Sequence, residues 1–229
     1  MSFLIFIFGV LMGNYGTTLL FRIPRGIEIC GVSKKRNTPP HCSECGHNLK
    51  FYEYFPILSW IFSRFKCNYC CAKINPQYFF LELSTGITSV IIYKFIGLSE
   101  TYLLLIALYI TTAVSGLIKL NTGKIYRDLT FAVIAIAIAY RTLIDNSIIP
   151  FIFDLSVGSV LISFLMSRKI YNKDIIHIIL QSSILGLYSL IFVLTLYILC
   201  YRKKAKIAYL YSLVFLSYVM VLRNIFYAT

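Results

Sequence analysis

The sequence predicts an all-α polytopic membrane protein of about 7–8 transmembrane helices, with a small zinc-ribbon-like cysteine domain inserted after the first. Three observations predict it. The chain of 229 residues is 59% hydrophobic and 14% charged, with a mean hydropathy of +0.77, whereas a soluble domain carries about a quarter charged residues. The apolar residues are gathered into runs of the length a bilayer requires. The largest polar stretch contains two C-x-x-C pairs.

The first run, residues 3–23 (FLIFIFGVLMGNYGTTLLFRI), has no cation before it and no A-x-A-like cleavage site after it. It reads as a retained anchor. Residues 24–77 are polar and hold Arg25, Lys34, Lys35, Arg36, Lys50, Arg64, Lys66 and Lys73, with every proline but Pro150. Further apolar runs occupy residues 78–98, 101–118, 129–144, 147–166, 175–200 and 207–226. The expected division is therefore a first span at 1–23, a cysteine domain at 24–77 and a membrane bundle at 78–229.

Charge orients these elements. Lys plus Arg is 22 and Asp plus Glu is 9, a net of +13. A basic excess can serve nucleic acid, but no basic stripe with interleaved aromatics stands clear of the apolar runs, so the expected partner is the lipid bilayer and not nucleic acid. Short loops rich in Lys and Arg stay in the cytoplasm. The cysteine domain is thus expected inside and the N-terminus outside. The links 119–128, with Lys119, Lys124 and Arg127, and 167–174, with Arg168, Lys169 and Lys173, belong inside, and Ser99–Glu100 and 141–146 outside. A single span at 175–200 would leave Arg202, Lys203, Lys204 and Lys206 outside. The charge rule favours two short or re-entrant segments turning around residues 181–186.

Cys42, Cys45, Cys67 and Cys70 form the two C-x-x-C pairs, with 21 residues between them. Each pair fits a tight turn that brings two thiolates together, and two such turns complete a tetrahedral S4 site suited to structural zinc. A cytoplasmic placement argues against disulfides. Metal binding supplies folding energy that so small a domain lacks. Cys71 is an alternative to Cys70 that breaks the regular spacing, His41 and His47 are possible ligands beside the first pair, and Cys30 and Cys200 read as apolar positions.

Among the few acids, Glu82 and Asp154 fall inside apolar runs, where an ionisable group either serves function or is paired in the bundle. Asp128 and Asp174 fall at the cytoplasmic ends of spans, where two carboxylates sharing a proton activate water on a peptide carbonyl. Loop charges beside Lys and Arg are the alternative.

The stretches GVLMGNYGTTLLFRIPRG and HCSECGHNLKFYEYFPILSWIFSRFKCNYCCAKINPQYFFLELSTG resemble the prepilin leader peptidases, with a fainter likeness to about residue 187. These are the aspartic, intramembrane-type peptidases and N-methyltransferases of type IV pilus and type II secretion systems. The resemblance implies a multi-pass protein of the bacterial inner membrane. Its substrates would be type IV prepilins or pseudopilins, and S-adenosylmethionine the methyl donor. It also implies two catalytic aspartates, one in an Asp-x6-Pro-Asp stretch and one ending Gly-x-Gly-Asp. Here IKLNTGKIYRDLT puts Lys119 at the first aspartate, Asn121, Tyr126 and Arg127 at the neighbouring motif positions, and Asp128 nearby. YNKD keeps Asp174 but has Tyr171 and Lys173 for the glycines. The expectation is a divergent member. Either it cleaves leaders through Asp174 and Asp128, or it is a degenerate relative that binds prepilins or assembly partners without cleavage.

Overall fold

A computed structural model describes residues 1–27, 39–144 and 149–167, with the single positions 176 and 179. The described residues are helical, with two isolated antiparallel bridges and no strand. The α-helices are α1 (Ser2–Arg22), α2 (Leu58–Phe62), α3 (Pro76–Ile96), α4 (Glu100–Thr122), α5 (Arg127–Ile144) and α6 (Ile149–Ser167). The apolar runs expected up to residue 166 thus each form a helix. Three are long and apolar enough to cross a membrane: Ser2–Arg25, Pro76–Ile96 and Glu100–Thr122. The runs at 175–200 and 207–226, and the question of one span or two, lie outside the described residues.

The chain divides into two compact units, Met1–Ile91 and Ile92–Thr229. In the first, α1 runs antiparallel to the opening turns of α3. Position 5 meets 89, where the Ser89 hydroxyl donates to the Ile5 carbonyl at 3.0 Å, and position 13 meets 82 and 85. Glycine allows this proximity. A Cβ built on Gly13 would lie 2.7 Å from the Glu82 Cα, and one on Gly86 2.6 Å from a Val10 methyl. Gly9-x-x-x-Gly13 is a small-residue motif that lets membrane helices touch backbone to backbone. The spacing is plain in the sequence, but it was not among the features singled out there.

In the second unit, α4 starts at Ser99, whose hydroxyl accepts the Tyr102 amide at 3.2 Å, an N-cap that satisfies an orphan donor. It ends at Gly123, in the left-handed region at φ 73°, whose amide reaches the Lys119 carbonyl. The helix therefore continues past residue 118, where the sequence pattern placed its end, and Lys119 lies in its last turn. α4 packs on α5, and Leu105, Leu108 and Val114 of the first and Val133, Ala137 and Tyr140 of the second are all buried. α5 joins α6 through charge. Arg141, 2% exposed, donates from Nη2 to Asp154 Oδ2 at 3.0 Å. Arg141, which the charge pattern put at the edge of an external link, is a buried helical residue.

A buried pair contributes little net stability over an apolar replacement, but removing one partner strands a charge. Arg141→Leu is expected to cost about 3–5 kcal/mol. Arg141→Leu with Asp154→Leu is expected to recover most of that loss. Thermal unfolding midpoints of the purified variants in detergent check both.

Candidate metal centre and polar residues of the helices

The cysteine pairs sit on two turns built alike. In the first, the Cys42 amide donates to the His47 carbonyl at 3.0 Å and the Gly46 amide to the Cys42 carbonyl at 3.0 Å. In the second, the Cys67 amide donates to Ala72 at 2.9 Å and the Cys71 amide to Cys67 at 3.0 Å. The residue before each pair bridges across the turn, His41 to Asn48 and Lys66 to Lys73. The two halves are a structural repeat, hidden in the sequence because only the cysteines are shared. In each the residue after the second cysteine takes a left-handed conformation: Gly46 at φ 70° and Cys71 at φ 58°.

This geometry gathers the thiols of Cys42, Cys45, Cys67 and Cys70, whose Sγ atoms all lie within 4.8 Å of one another. The Cys42 and Cys70 sulfurs are 3.9 Å apart. A tetrahedral zinc site with Zn–S bonds of about 2.3 Å requires sulfurs about 3.8 Å apart. The four residues therefore fit a metal ion of that kind. The Cys70 and Tyr69 amides pull the Cys67 thiol down to about 7, against its burial and with help from Cys42 and Cys70. Cys70 rises to about 12: the Ala72 amide favours its thiolate, but desolvation and the Cys45, Cys67 and Cys42 thiols outweigh that. One thiol in the cluster is thus poised to ionise while another holds its proton.

The candidates beside the cluster have other partners. Cys71 is exposed and outside the cluster. His41 sets Nδ1 3.0 Å from the Pro39 carbonyl and packs edge-on to Phe21. His47 lies over the Tyr69 ring with centroids 3.5 Å apart. Glu53, not singled out from the sequence, ties the second turn to the linker. It accepts from the Lys50 amide at 2.8 Å, the Asn68 side chain at 3.2 Å and the Tyr69 hydroxyl at 3.4 Å. Burial disfavours its charge, but these donors together hold its carboxyl below the usual range.

Glu82, 3% exposed on α3, accepts the Ile57 amide at 2.9 Å. Asn14 on α1 donates to the Tyr54 carbonyl at 3.4 Å. Both line a polar cavity of about 420 Å³ within the first unit, with Thr17, Arg22, Ser59 and Tyr78. In the second unit, Asp154 has the packing role that was the alternative for a carboxylate in an apolar run. Asp128 is exposed in the first turn of α5, where the helix dipole favours an anion. Lys119 and Asp128 thus stand on either side of the loop 123–126. Asp174, Tyr171 and Lys173 lie outside the described residues.

Helices long and apolar enough to cross a membrane, with a cluster of four thiols that fits a metal ion between the first two, define a helical protein of membrane character as its class. Residues 7–96 match the family model described as the bacterial peptidase A24 N-terminal domain. The matched region runs from α1 to the end of α3 and contains all four thiols. Similar curated proteins are prepilin leader peptidase/N-methyltransferases. That of Myxococcus xanthus is 31% identical over 83 residues, 36% of this chain and 23% of the relative. That of Vibrio cholerae is 29% identical over 92 residues, 38% and 35%. That of Dichelobacter nodosus is 25% identical over 111 residues, 39% and 39%. The chain spans well under half the length of these relatives. No solved structure matches.

Cys71 carries a side chain in the left-handed conformation that its counterpart Gly46 adopts freely, a cost of about 1–3 kcal/mol for a non-glycine residue. Cys71→Gly is expected to raise the thermal unfolding midpoint of the purified protein, and Cys71→Val to lower it.

Proposed function

We propose that the protein is a prepilin peptidase-like protein of the bacterial inner membrane that binds prepilin or pseudopilin precursors, or their assembly partners, without cleaving them. The observation that carries this reading is a contrast along the chain. Residues 7–96 match the peptidase N-terminal domain and keep the four-thiol geometry, whereas Lys119 stands where the resemblance puts the first catalytic aspartate. Aspartic catalysis needs two carboxylates sharing one proton around a water. A lysine cannot share that proton, and its charge favours the ionised form of a neighbouring Asp174.

The same reading holds zinc on Cys42, Cys45, Cys67 and Cys70, with the cysteine domain in the cytoplasm beside the basic ends of α1 and α3. There the metal would fix the fold of the domain; the residues around it hold and orient the thiolates. A methyl transfer from S-adenosylmethionine rests on the names of the relatives alone.

A second reading, leader cleavage by Asp128 with Asp174, is favoured by the exposure of Asp128 to water in the first turn of α5. Co-expression with a tagged prepilin, in cells lacking their own peptidase, separates the two on a gel. The unmodified protein is expected to leave the leader attached. Lys119→Asp with Tyr171→Gly and Lys173→Gly is expected to recover part of the cleavage. Efficient processing by the unmodified protein, lost in Asp128→Asn, establishes the second reading and refutes the first.

Elemental analysis of protein purified under reducing conditions is expected to give about one zinc per chain. Cys42→Ser with Cys67→Ser should abolish it. Protein that binds no metal refutes the tetrathiol assignment whatever the outcome with prepilin.

A further inference from the structure

The linker between the two cysteine turns does something that a loop of a soluble module would not. Its residues 54–57 are held against α1 and α3 inside the ends of those helices, and Trp60 packs on Tyr78 and Phe79 in the first turn of α3. The Tyr54 carbonyl is bound by Asn14, eight residues before Arg22 and so about 12 Å along α1. The Ile57 amide is bound by Glu82, six residues after Pro76 and so about 9 Å along α3. Because α1 and α3 are antiparallel, with position 5 against 89 and 13 against 82, the two offsets are measured from the same end of the pair. That end carries Arg22 in the last turn of α1, Arg25 in the 3-10 turn after it, and Lys73 just before α3.

The segment at this depth is apolar, and it is turned outward. Ser59 and Trp60 of α2 are buried, while Leu58, Ile61 and Phe62 lie on the opposite face, Ile61 56% and Phe62 80% exposed. Phe55 and Phe65 extend the exposed face on either side. Lys50, Arg64, Lys66 and Lys73 flank the segment in the chain, with Tyr52 and Tyr69 exposed beside them. Cations and amphipathic aromatics of this kind collect where a membrane meets water.

We propose that residues 54–62 form a re-entrant wedge that enters the membrane crossed by α1 and α3, with Leu58, Ile61 and Phe62 against lipid and Asn14 and Glu82 pinning its backbone from inside. Irregular backbone survives at membrane depth only where protein or a polar cavity satisfies its peptide groups. Both conditions are met here. Glu82 and Asn14 serve the two peptide groups at the entry to α2, and the polar cavity lies on the buried side of the wedge, lined by Ser59 and Trp60. The carboxylate also meets the chain where Ile57, a β-branched residue at φ 59° and ψ −52°, centres a γ-turn closed by the Leu58 amide on the Pro56 carbonyl at 2.6 Å. Glu82, an expensive residue in an apolar helix, thereby has a positioning role.

The inference rests on α1 and α3 crossing a membrane, and the test separates the two claims. Trp60 is the single tryptophan of the chain. In a Trp60→Phe background, a reporter is placed by Phe62→Trp, by Ile61→Trp or, as a control on the exposed side of α1, by Leu11→Trp. Each variant is reconstituted in phosphatidylcholine vesicles whose acyl chains are brominated near the headgroup or near the methyl end. Emission from the Phe62→Trp and Ile61→Trp proteins is expected to be lost with bromine near the headgroup and to resist aqueous acrylamide. Adding Glu82→Leu should move both reporters toward acrylamide, whereas Glu82→Gln, which keeps an acceptor, should not. Acrylamide quenching of both reporters, with Leu11→Trp still quenched by bromolipid, overturns the wedge and leaves the span intact. Protection from both quenchers means a protein surface covers the face, and also overturns it. A Leu11→Trp protein untouched by bromolipid overturns the membrane reading and the wedge together.

Discussion

Where α1 meets α3, the two backbones lie so close that a Cβ on Gly13 would stand 2.7 Å from the Cα of Glu82. Much of the first unit follows from that contact. With no side chains between the helices, Glu82 and Asn14 are held at a fixed depth, and each reaches the linker between the cysteine turns. The buried Ser89 hydroxyl closes the far end of the pair on the Ile5 carbonyl. In an apolar solvent the hydrophobic effect cannot press helices together, so close packing and hydrogen bonds must do it.

The two carboxylates inside apolar helices show how differently one cost is met. Asp154 answers a guanidinium, and the Arg141 pair joins α5 to α6. Glu82 answers a backbone amide of a distant segment. An ion pair in a low-dielectric medium repays its desolvation only with good geometry, and it links two rigid helices. A carboxylate on a peptide N–H instead fixes irregular chain that has no hydrogen-bond ladder of its own. The residue type is similar; the consequence is a helix hairpin in one unit and a seated loop in the other.

The cysteine domain has almost no apolar core. Among its described residues Pro56, Ser59, Trp60 and Cys67 are buried, and its two turns are each closed by a few backbone hydrogen bonds. Four converging thiols give such a domain a way to fold through metal ligation in place of burial. The linker that separates the pairs is also the segment seated on α1 and α3, so the spacing of 21 residues answers two demands. It must return the chain to the first thiol pair, and it must reach Asn14 and Glu82 on the way.

The helices up to residue 167 and the identity of the four clustered thiols were legible in the sequence, because bilayer thickness fixes the length of an apolar run and a C-x-x-C turn is local. Both are short-range properties that composition and spacing carry directly. What the tertiary structure decided is what each polar residue faces. No spacing rule connects Asn14 to Tyr54, Glu82 to Ile57 or Glu53 to Asn68, since these pairs depend on how close two helices come and on where an irregular linker turns. Lys119 was legible as a departure from an aspartate, but its place in the last turn of α4 was not, because a helix with Gly123 at its C-cap outruns the apolar pattern. The likeness of the two cysteine turns was hidden for a related reason. Backbone hydrogen bonds and a left-handed residue define it, and Gly46 and Cys71 share that conformation without sharing a side chain.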